Sequence, residues 1–145
     1  MDFIDEELKK IEQTGLYRKL KTIETAQDVG IKINGKSYIN FCSNDYLGLA
    51  NNPYVKLIAI KAIEKYGVGS GASRLICGNI DLHEQLEEKI AKFKGEESCL
   101  VFPTGYMANL GVISTLLNEQ DVVIIDRLDH ASIIDGCKLS KGKIL

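Results

Sequence analysis

The sequence lacks the features that mark nucleic-acid-binding and membrane-spanning chains. Among its 145 residues, 18 Lys and Arg face 20 Asp and Glu, so a net charge of −2 offers no basic excess to a phosphate backbone. Apolar runs such as Val122–Ile125 are far shorter than the roughly 20 residues of a membrane helix. The acidic segment Met1–Glu7 has no apolar signal core. We therefore predict a cytoplasmic protein that binds neither nucleic acid nor membrane.

The cysteines lack the spacing of a metal site or a disulfide scaffold. They lie 35, 22 and 38 residues apart and form no C-x-x-C pair, and no histidine stands at the spacing of a zinc ligand. Their small or apolar neighbours favour buried free thiols. We predict no metal site. The four are Cys42, Cys77, Cys99 and Cys137.

The start of the chain predicts a helical arm and a hairpin. Apolar residues at helical spacing predict an amphipathic arm over residues 3–20, interrupted at Gly15. The pair Asn34-Gly35 lies between alternating apolar and polar residues over 31–41. Asn-Gly readily adopts the positive φ angles of a tight turn, so this segment predicts a β-hairpin.

Two helices are expected next. Asn52-Pro53 provides an N-cap and a first-turn proline for a helix that continues to Gly67. A second helix begins near Asp81, with Glu84 placed as in a capping box. His83 lies off the apolar stripe of this helix, which predicts that its side chain is solvated.

The second half of the chain alternates apolar strands with helices. Strands are predicted at Cys99–Phe102 and Val122–Ile125, a third begins at Lys143–Leu145, and helices cover 105–117 and 130–139. Continuous apolar strands that alternate with helices are typical of a parallel sheet buried on both faces. The sequence therefore predicts an α/β doubly wound sheet. Because two strands and the start of a third make an incomplete sheet, we expect the front part of a larger protein.

Two segments are predicted to meet at one edge of this sheet. Thr104–Tyr106 follows one strand and opens a helix, where free N–H groups and the helix dipole favour a bound phosphate. Asp126–Ser132 follows the next strand and brings His130 to the same crevice. Thr104 could instead serve only as a helix cap. A lone histidine is usually a structural or solvated residue, but the shared crevice also allows His130 to lie against a planar ligand.

Two polar segments remain open to either interpretation. Gly67–Arg74 is rich in glycine, which permits close approach of the backbone to a ligand, yet it matches neither phosphate-binding fingerprint. It is either a structural turn or a ligand loop. Ser43–Leu49 is either a binding segment or a turn in which Asn44 or Asp45 bonds local backbone.

Five motifs occur in order along most of the chain, from about Leu16 to Leu145. Together they resemble the α-oxoamine synthases, pyridoxal-phosphate (PLP) enzymes of the aspartate-aminotransferase fold. The resemblance implies fold type I, with an N-terminal helical arm and hairpin at 1–41 and the first portion of the PLP-binding large domain at 42–145. The motifs are Ser43–Leu49, Gly69–Arg74, Leu82–Glu87, Thr104–Asn109 and Asp129–Gly136.

The family resemblance also implies a reaction. Its members are PLP-dependent C-acyltransferases that condense an amino acid with an acyl-CoA and release CoA and carbon dioxide. The substrates expected here are L-alanine and pimeloyl-CoA, or a pimeloyl carrier-protein thioester, as in biotin synthesis. Glycine with acetyl-CoA is the alternative. The resemblance further implies a homodimer for the full-length protein.

Site residues follow from the motifs. Thr104 and the backbone of Gly105 and Tyr106 would hold the PLP phosphate, and His130 would stack on the pyridine ring. Asn44 would lie near the amino-acid carboxylate. Ser73 and Arg18 would bind the distal end of the acyl chain, where an arginine suits a carboxylate.

No segment matches the Schiff-base lysine of the family. Lys138, Lys141 and Lys143 lack its Thr-x-x-Lys setting, so we expect this chain alone to be inactive. A non-catalytic subunit or fragment of the same fold is a second alternative. A Rossmann-type nucleotide binder is disfavoured because both phosphate fingerprints fail.

Overall fold

The structure, a computed structural model, describes residues 2–145. The chain divides into two compact units, Met1–Gly69 and Ser70–Leu145. The first contains α1 (Asp2–Gln13), β1 (Gly30–Ile33), β2 (Lys36–Ile39) and α2 (Pro53–Tyr66). The second contains a π-helical turn (Arg74–Gly78), α3 (Asp81–Lys94), α4 (Gly105–Leu116), β3 (Val122–Val123), α5 (Ala131–Leu139) and β4 (Lys143–Ile144).

The hairpin and α2 of the first unit confirm their predictions. Asn34 and Gly35 have φ of 50° and 71°, as a type I′ turn requires, and β1 pairs antiparallel with β2. Asn52 caps α2, since its Oδ1 accepts from the N–H groups of Tyr54 at 2.9 Å and Val55 at 3.2 Å. The predicted arm is wrong in its length, because α1 ends at Gln13 and residues 16–20 are not helical.

The N-terminus of α3 differs from the prediction. The helix begins at Asp81, but Ile80 is its N-cap, and the Ile80 N–H donates to Nδ1 of His83 at 3.1 Å. His83 is therefore half-buried and bonded to backbone rather than solvated. Glu84 accepts from Asn79 at 2.8 Å instead of completing a capping box. A histidine three residues after the cap satisfies the same orphan N–H that a glutamate would.

The second unit contains a parallel strand pair. Val122 and Val123 of β3 align with Lys143 and Ile144 of β4, which confirms that these strands are parallel and joined through α5. The predicted strand at Cys99–Phe102 does not form, because it has no ladder partner among residues 2–145. Its backbone is held differently: the Val101 N–H donates to Oε1 of Glu87 at 2.8 Å.

Close packing of α4 against α5 forms the best-buried part of the second unit. Ser132 and Cys137 of α5 are each only 1% exposed. A Cβ built on Gly136 would lie 3.1 Å from the carbonyl oxygen of Asn109 and 3.1 Å from Cβ of Ile113. Glycine at 136 thus allows the two helices to approach closely.

Much apolar surface is left uncovered by the described residues. Phe41 is 90% exposed in the first unit and Phe93 is 87% exposed in the second. In the described part of the chain, the buried hydrophobic residues are Ile31, Ala91 and Cys137. Each unit therefore has a thin core, and its fold depends heavily on caps, turns and side-chain hydrogen bonds.

Candidate functional site

The N-terminus of α4 presents free backbone donors. The Thr104 side chain caps the helix, with Oγ1 accepting from the Met107 N–H at 3.2 Å. The N–H groups of Gly105 and Tyr106 lie in the first turn, where no carbonyl of the helix stands four residues earlier, and no hydrogen bond engages them within residues 2–145. The first turn of α4 contains no acidic residue, and a Cβ on Gly105 would meet open space. These donors and the helix dipole fit an anion such as a phosphate.

His130 begins the neighbouring helix. It is the N-cap of α5, where its Nδ1 accepts from the Ser132 N–H at 3.2 Å and lies 2.7 Å from the Ser132 hydroxyl. The residue itself is exposed. The ring is therefore tethered through one nitrogen while its remaining edge and faces are accessible, an arrangement that suits a planar ligand.

Two hydrogen bonds join the starts of α4 and α5. The Tyr106 hydroxyl donates to Oδ2 of Asp135 at 2.7 Å, and the Asn109 amide donates to the Ser132 hydroxyl at 2.8 Å. The bond to Asp135 raises the pKa of Tyr106, because the nearby carboxylate stabilises the neutral phenol. The structure thus brings the phosphate-binding candidates and His130 together on one helix pair.

The glycine-rich segment forms a closed structural turn. The Ser70 hydroxyl donates to the Gly78 carbonyl at 2.9 Å, and the Gly78 N–H donates to the Ser73 carbonyl at 2.9 Å. The Ser73 side chain makes no capping bond and is exposed. The turn is a structural element with Ser73 presented on its surface.

Arg74 links this turn to α3. Its guanidinium donates to both carboxylate oxygens of Glu87, at 2.5 and 2.9 Å, in a bidentate pair. Glu87 also accepts from the Val101 N–H at 2.8 Å. The carboxylate of Glu87 therefore connects the turn and the segment before α4 to α3.

This network predicts an acid-dependent stability. The Arg74 bonds, followed by the Val101 N–H, lower the Glu87 pKa from 4.5 to about 2. Because the folded pKa is depressed, the stabilisation is complete above pH 4.5 and is lost as pH falls towards 2. We expect the free energy of unfolding, measured with urea, to fall less between pH 5 and pH 2 in Glu87→Gln than in the wild type.

The matched control is Glu88→Gln, which removes an exposed carboxylate from the same helix. Its free energy of unfolding should change with pH across this range as steeply as that of the wild type. Equal slopes for Glu87→Gln and the wild type would show that the Arg74–Glu87 pair does not contribute as described.

The other predicted substrate residues belong to the first unit. Arg18 is exposed in the non-helical segment after α1. Asn44 is exposed, and its Oδ1 accepts from the Tyr46 hydroxyl at 3.4 Å. Asp45 accepts from the N–H groups of Leu49 and Ala50, so it forms the local turn that one interpretation of Ser43–Leu49 predicted. Arg18 and Asn44 thus belong to the first unit, whereas His130 belongs to the second.

Sequence reasoning missed several residues that build the site. Asp135 accepts from Tyr106 across the two helices, Ser132 contacts His130, and Asn109 donates to Ser132. Glu87 anchors the glycine-rich turn. Ser132 stands two positions after an N-cap histidine, a spacing at which its N–H can bond the ring. No pattern within the sequence relates Asn109 to Ser132, which are 23 residues apart.

The described residues offer neither a metal-binding cluster nor a membrane-spanning helix. Among residues 2–145, no group of three or more His, Cys, Asp or Glu side chains is arranged to hold a metal ion. Within the same residues, no helix has both the length and the apolar character that crossing a membrane requires.

Curated relatives are similar over the whole chain. Residues 36–145 match the family model described as Aminotransferase class I and II. The 8-amino-7-oxononanoate synthase of Thermoanaerobacter pseudethanolicus is 51% identical over 145 residues, which cover 100% of this chain and 37% of the relative. The enzyme of the same name from Petrotoga mobilis is 53% identical over 146 residues, covering 99% and 37%. The chain spans about 37% of the length of these relatives.

A solved structure is similar in fold. A serine palmitoyltransferase variant from S. paucimobilis, determined with a bound PLP–myriocin aldimine, matches with a TM-score of 0.87 and 34% identity. The match covers 99% of this chain and 37% of that protein. This confirms the predicted α/β architecture of PLP-dependent fold type I, of which the chain contains a part.

Proposed function

Because the chain belongs to the aminotransferase class I and II family, we propose that it binds PLP and forms part of an 8-amino-7-oxononanoate synthase. The observation that carries this proposal is that α4, whose first N–H groups are free, is joined by two side-chain hydrogen bonds to α5, whose N-cap is the exposed His130. A phosphate donor set beside a flat imidazole is what an aromatic phosphate ester requires. The relatives of that name, about half identical over the chain, support the choice of reaction.

Residues of α4 and α5 would bind different parts of the cofactor. The Gly105 and Tyr106 N–H groups would hold the phosphate, with Thr104 fixing the first turn of α4. His130 would cover one face of the pyridine ring and exclude water from it. When bound, PLP supplies an electron sink for bond breaking at the α-carbon of an amino acid.

Three residues are proposed to bind the substrates. Asn44 would contact the carboxylate of L-alanine. Arg18 and Ser73 would bind the distal end of a pimeloyl chain, whose terminal carboxylate suits a bidentate guanidinium. All three side chains are exposed and so accessible to a ligand. We further propose a cytoplasmic homodimer for the enzyme of which the chain forms part.

The catalytic lysine is proposed to lie outside these 145 residues. Lys138 is exposed at the end of α5, Lys141 lies 3.9 Å from Glu119, and Lys143 belongs to β4. None of them has the sequence setting of a Schiff-base lysine. The chain alone is therefore expected to show no turnover.

The test supplies the remaining part of the enzyme. The chain is assayed alone and joined to the C-terminal remainder of the Thermoanaerobacter relative, with that relative as the positive control. We expect 8-amino-7-oxononanoate from L-alanine and a pimeloyl thioester in the joined protein, and no product from the chain alone. Borohydride treatment of the chain with PLP should leave no specific lysine modified.

Each part of the proposed function would be contradicted by a different result. Product from glycine and acetyl-CoA, with none from L-alanine, would assign the alternative substrate pair. A folded joined protein that binds PLP but yields neither product would favour a non-catalytic role. A specific lysine trapped by borohydride would overturn the proposal that the catalytic lysine lies outside these residues.

A further inference from the structure

A chain of hydrogen bonds runs from the interior of the α4–α5 pair to His130. The Asn109 Nδ2 lies 2.8 Å from Oγ of Ser132, and that oxygen lies 2.7 Å from Nδ1 of His130. The Ser132 N–H also donates to the same Nδ1 at 3.2 Å. Ser132 is 1% exposed and Asn109 is half-buried, so the bonds are largely shielded from water. Shielding strengthens each bond.

The chemistry of the donors determines where the imidazole proton lies. A backbone N–H only donates, so Nδ1 of His130 must accept and cannot itself carry a proton. The Asn109 amide donates to the Ser132 oxygen, which leaves the hydroxyl hydrogen free to point at Nδ1. Both donors therefore favour the tautomer with its proton on Nε2.

We propose that Ser132 and Asn109 are positioning residues that set the tautomer and the ring plane of His130 for the cofactor. This inference rests on the proposed function, because it concerns the ring assigned to the pyridine face. Two contacts at Nδ1 prevent rotation about the bond that joins the ring to Cβ. The accessible Nε2–H then remains as a fixed donor beside the cofactor site, and the ring face remains aligned for stacking.

The experiment reads the tautomer directly. The chain contains two histidines, and both use Nδ1 to accept from a backbone N–H, so His83 is an internal reference that lacks the hydroxyl. Imidazole ¹⁵N chemical shifts are measured with and without PLP. We expect His130 to be protonated at Nε2 in the wild type. Ser132→Ala should move the Nδ1 shift of His130 and leave the shifts of His83 unchanged.

A second variant separates polarity from packing. Asn109→Asp keeps the size of the side chain but removes its donors, so the Ser132 hydroxyl should turn to the carboxylate and leave Nδ1. We expect the same direction of ¹⁵N shift as in Ser132→Ala, and PLP binding about fivefold weaker, the size expected for one lost hydrogen bond. Ser114→Ala is the control, because it removes a hydroxyl that bonds the Leu110 carbonyl elsewhere on α4.

The outcomes separate the two proposals. Wild-type His130 protonated at Nδ1, or unchanged ¹⁵N shifts in both folded variants, would overturn the positioning role. A shift that occurs in both variants without any binding of PLP to the wild type would support the hydrogen-bond chain and count against the proposed function.

Discussion

Replacing Gly78 by alanine should open the turn that presents Ser73. The new Cβ would collide with the carbonyl oxygen of Ala72 and lie 2.6 Å from its carbonyl carbon. Because these are backbone atoms, no side chain can rotate aside to make room. We expect a loss of about 3 kcal/mol in the free energy of unfolding, at the upper end of ordinary overpacking.

The loss of stability in Gly78→Ala should be accompanied by faster amide exchange near the turn. The turn is closed by the Ser70–Gly78 and Gly78–Ser73 hydrogen bonds, and Arg74 leads from it to Glu87. Opening the turn should therefore release Arg74 and raise the hydrogen-exchange rate of the Val101 amide, which Glu87 holds. Urea unfolding and amide exchange of the chain measure the two effects.

Gly71→Ala is the matched control in the same segment. A Cβ at that position meets no atom within 4 Å, and its φ is not positive. We expect its stability to stay within about 0.5 kcal/mol of the wild type, as for most exposed substitutions. If Gly71→Ala and Gly78→Ala behave alike, the close approach at Gly78 has no energetic consequence.

Local interactions explain which elements could be predicted from the sequence. The hairpin depends on two adjacent residues that accept positive φ, and α2 depends on an asparagine bonded to N–H groups two and three residues ahead. Such signals are complete within a few residues. The alternation of strand and helix likewise predicted the parallel pairing of β3 with β4.

The failures share a different cause. The Cys99–Phe102 segment has an apolar strand pattern, but strand formation requires a neighbouring strand, and none of residues 2–145 provides it. At α3, Asp81 and Glu84 fit a capping box, yet His83 reached the orphan N–H of Ile80 instead. Both outcomes depend on which hydrogen-bonding partner a backbone group finds, and a local sequence pattern does not show which partner is preferred.

For the candidate site, the sequence predicted which segments contribute residues but not the contacts between them. The sequence placed Thr104, Gly105, Tyr106 and His130 at one edge by the rule for the ends of parallel strands, although the strand expected before Thr104 does not form. Their mutual arrangement is determined by Asn109, Ser132 and Asp135, through contacts between residues 23 and 29 apart. Contacts at that separation follow from helix packing, which composition and periodicity do not specify.

Gly136 should be the residue on which that packing depends most. Gly136→Leu would place a side chain where even a Cβ lies 3.1 Å from the Asn109 carbonyl oxygen and 3.2 Å from Cδ1 of Ile113. The helices must then separate, which should cost about 1–3 kcal/mol and break the Asn109–Ser132 and Tyr106–Asp135 bonds. We expect PLP binding to weaken more than tenfold, because the N–H groups of α4 and the ring of His130 would no longer face one ligand.

The titration of Tyr106 shows whether the helices have separated. Its pKa is raised by the bond to Asp135, so in the wild type its phenol should ionise above the ordinary range of tyrosine as pH rises. Tyr106→Phe identifies its contribution to the absorbance at 295 nm. In Gly136→Leu that contribution should move to lower pH, because the carboxylate no longer holds the phenol neutral.

Two further variants make the steric cause specific. Gly136→Ala should lie between the wild type and Gly136→Leu, since the gain of about 1 kcal/mol in helix propensity opposes a clash of a few tenths of an ångström. Lys138→Leu places the same leucine on an exposed position of α5 and should leave both PLP binding and the Tyr106 titration unchanged. Wild-type PLP affinity in Gly136→Leu would show that the approach of α4 to α5 does not build the cofactor site.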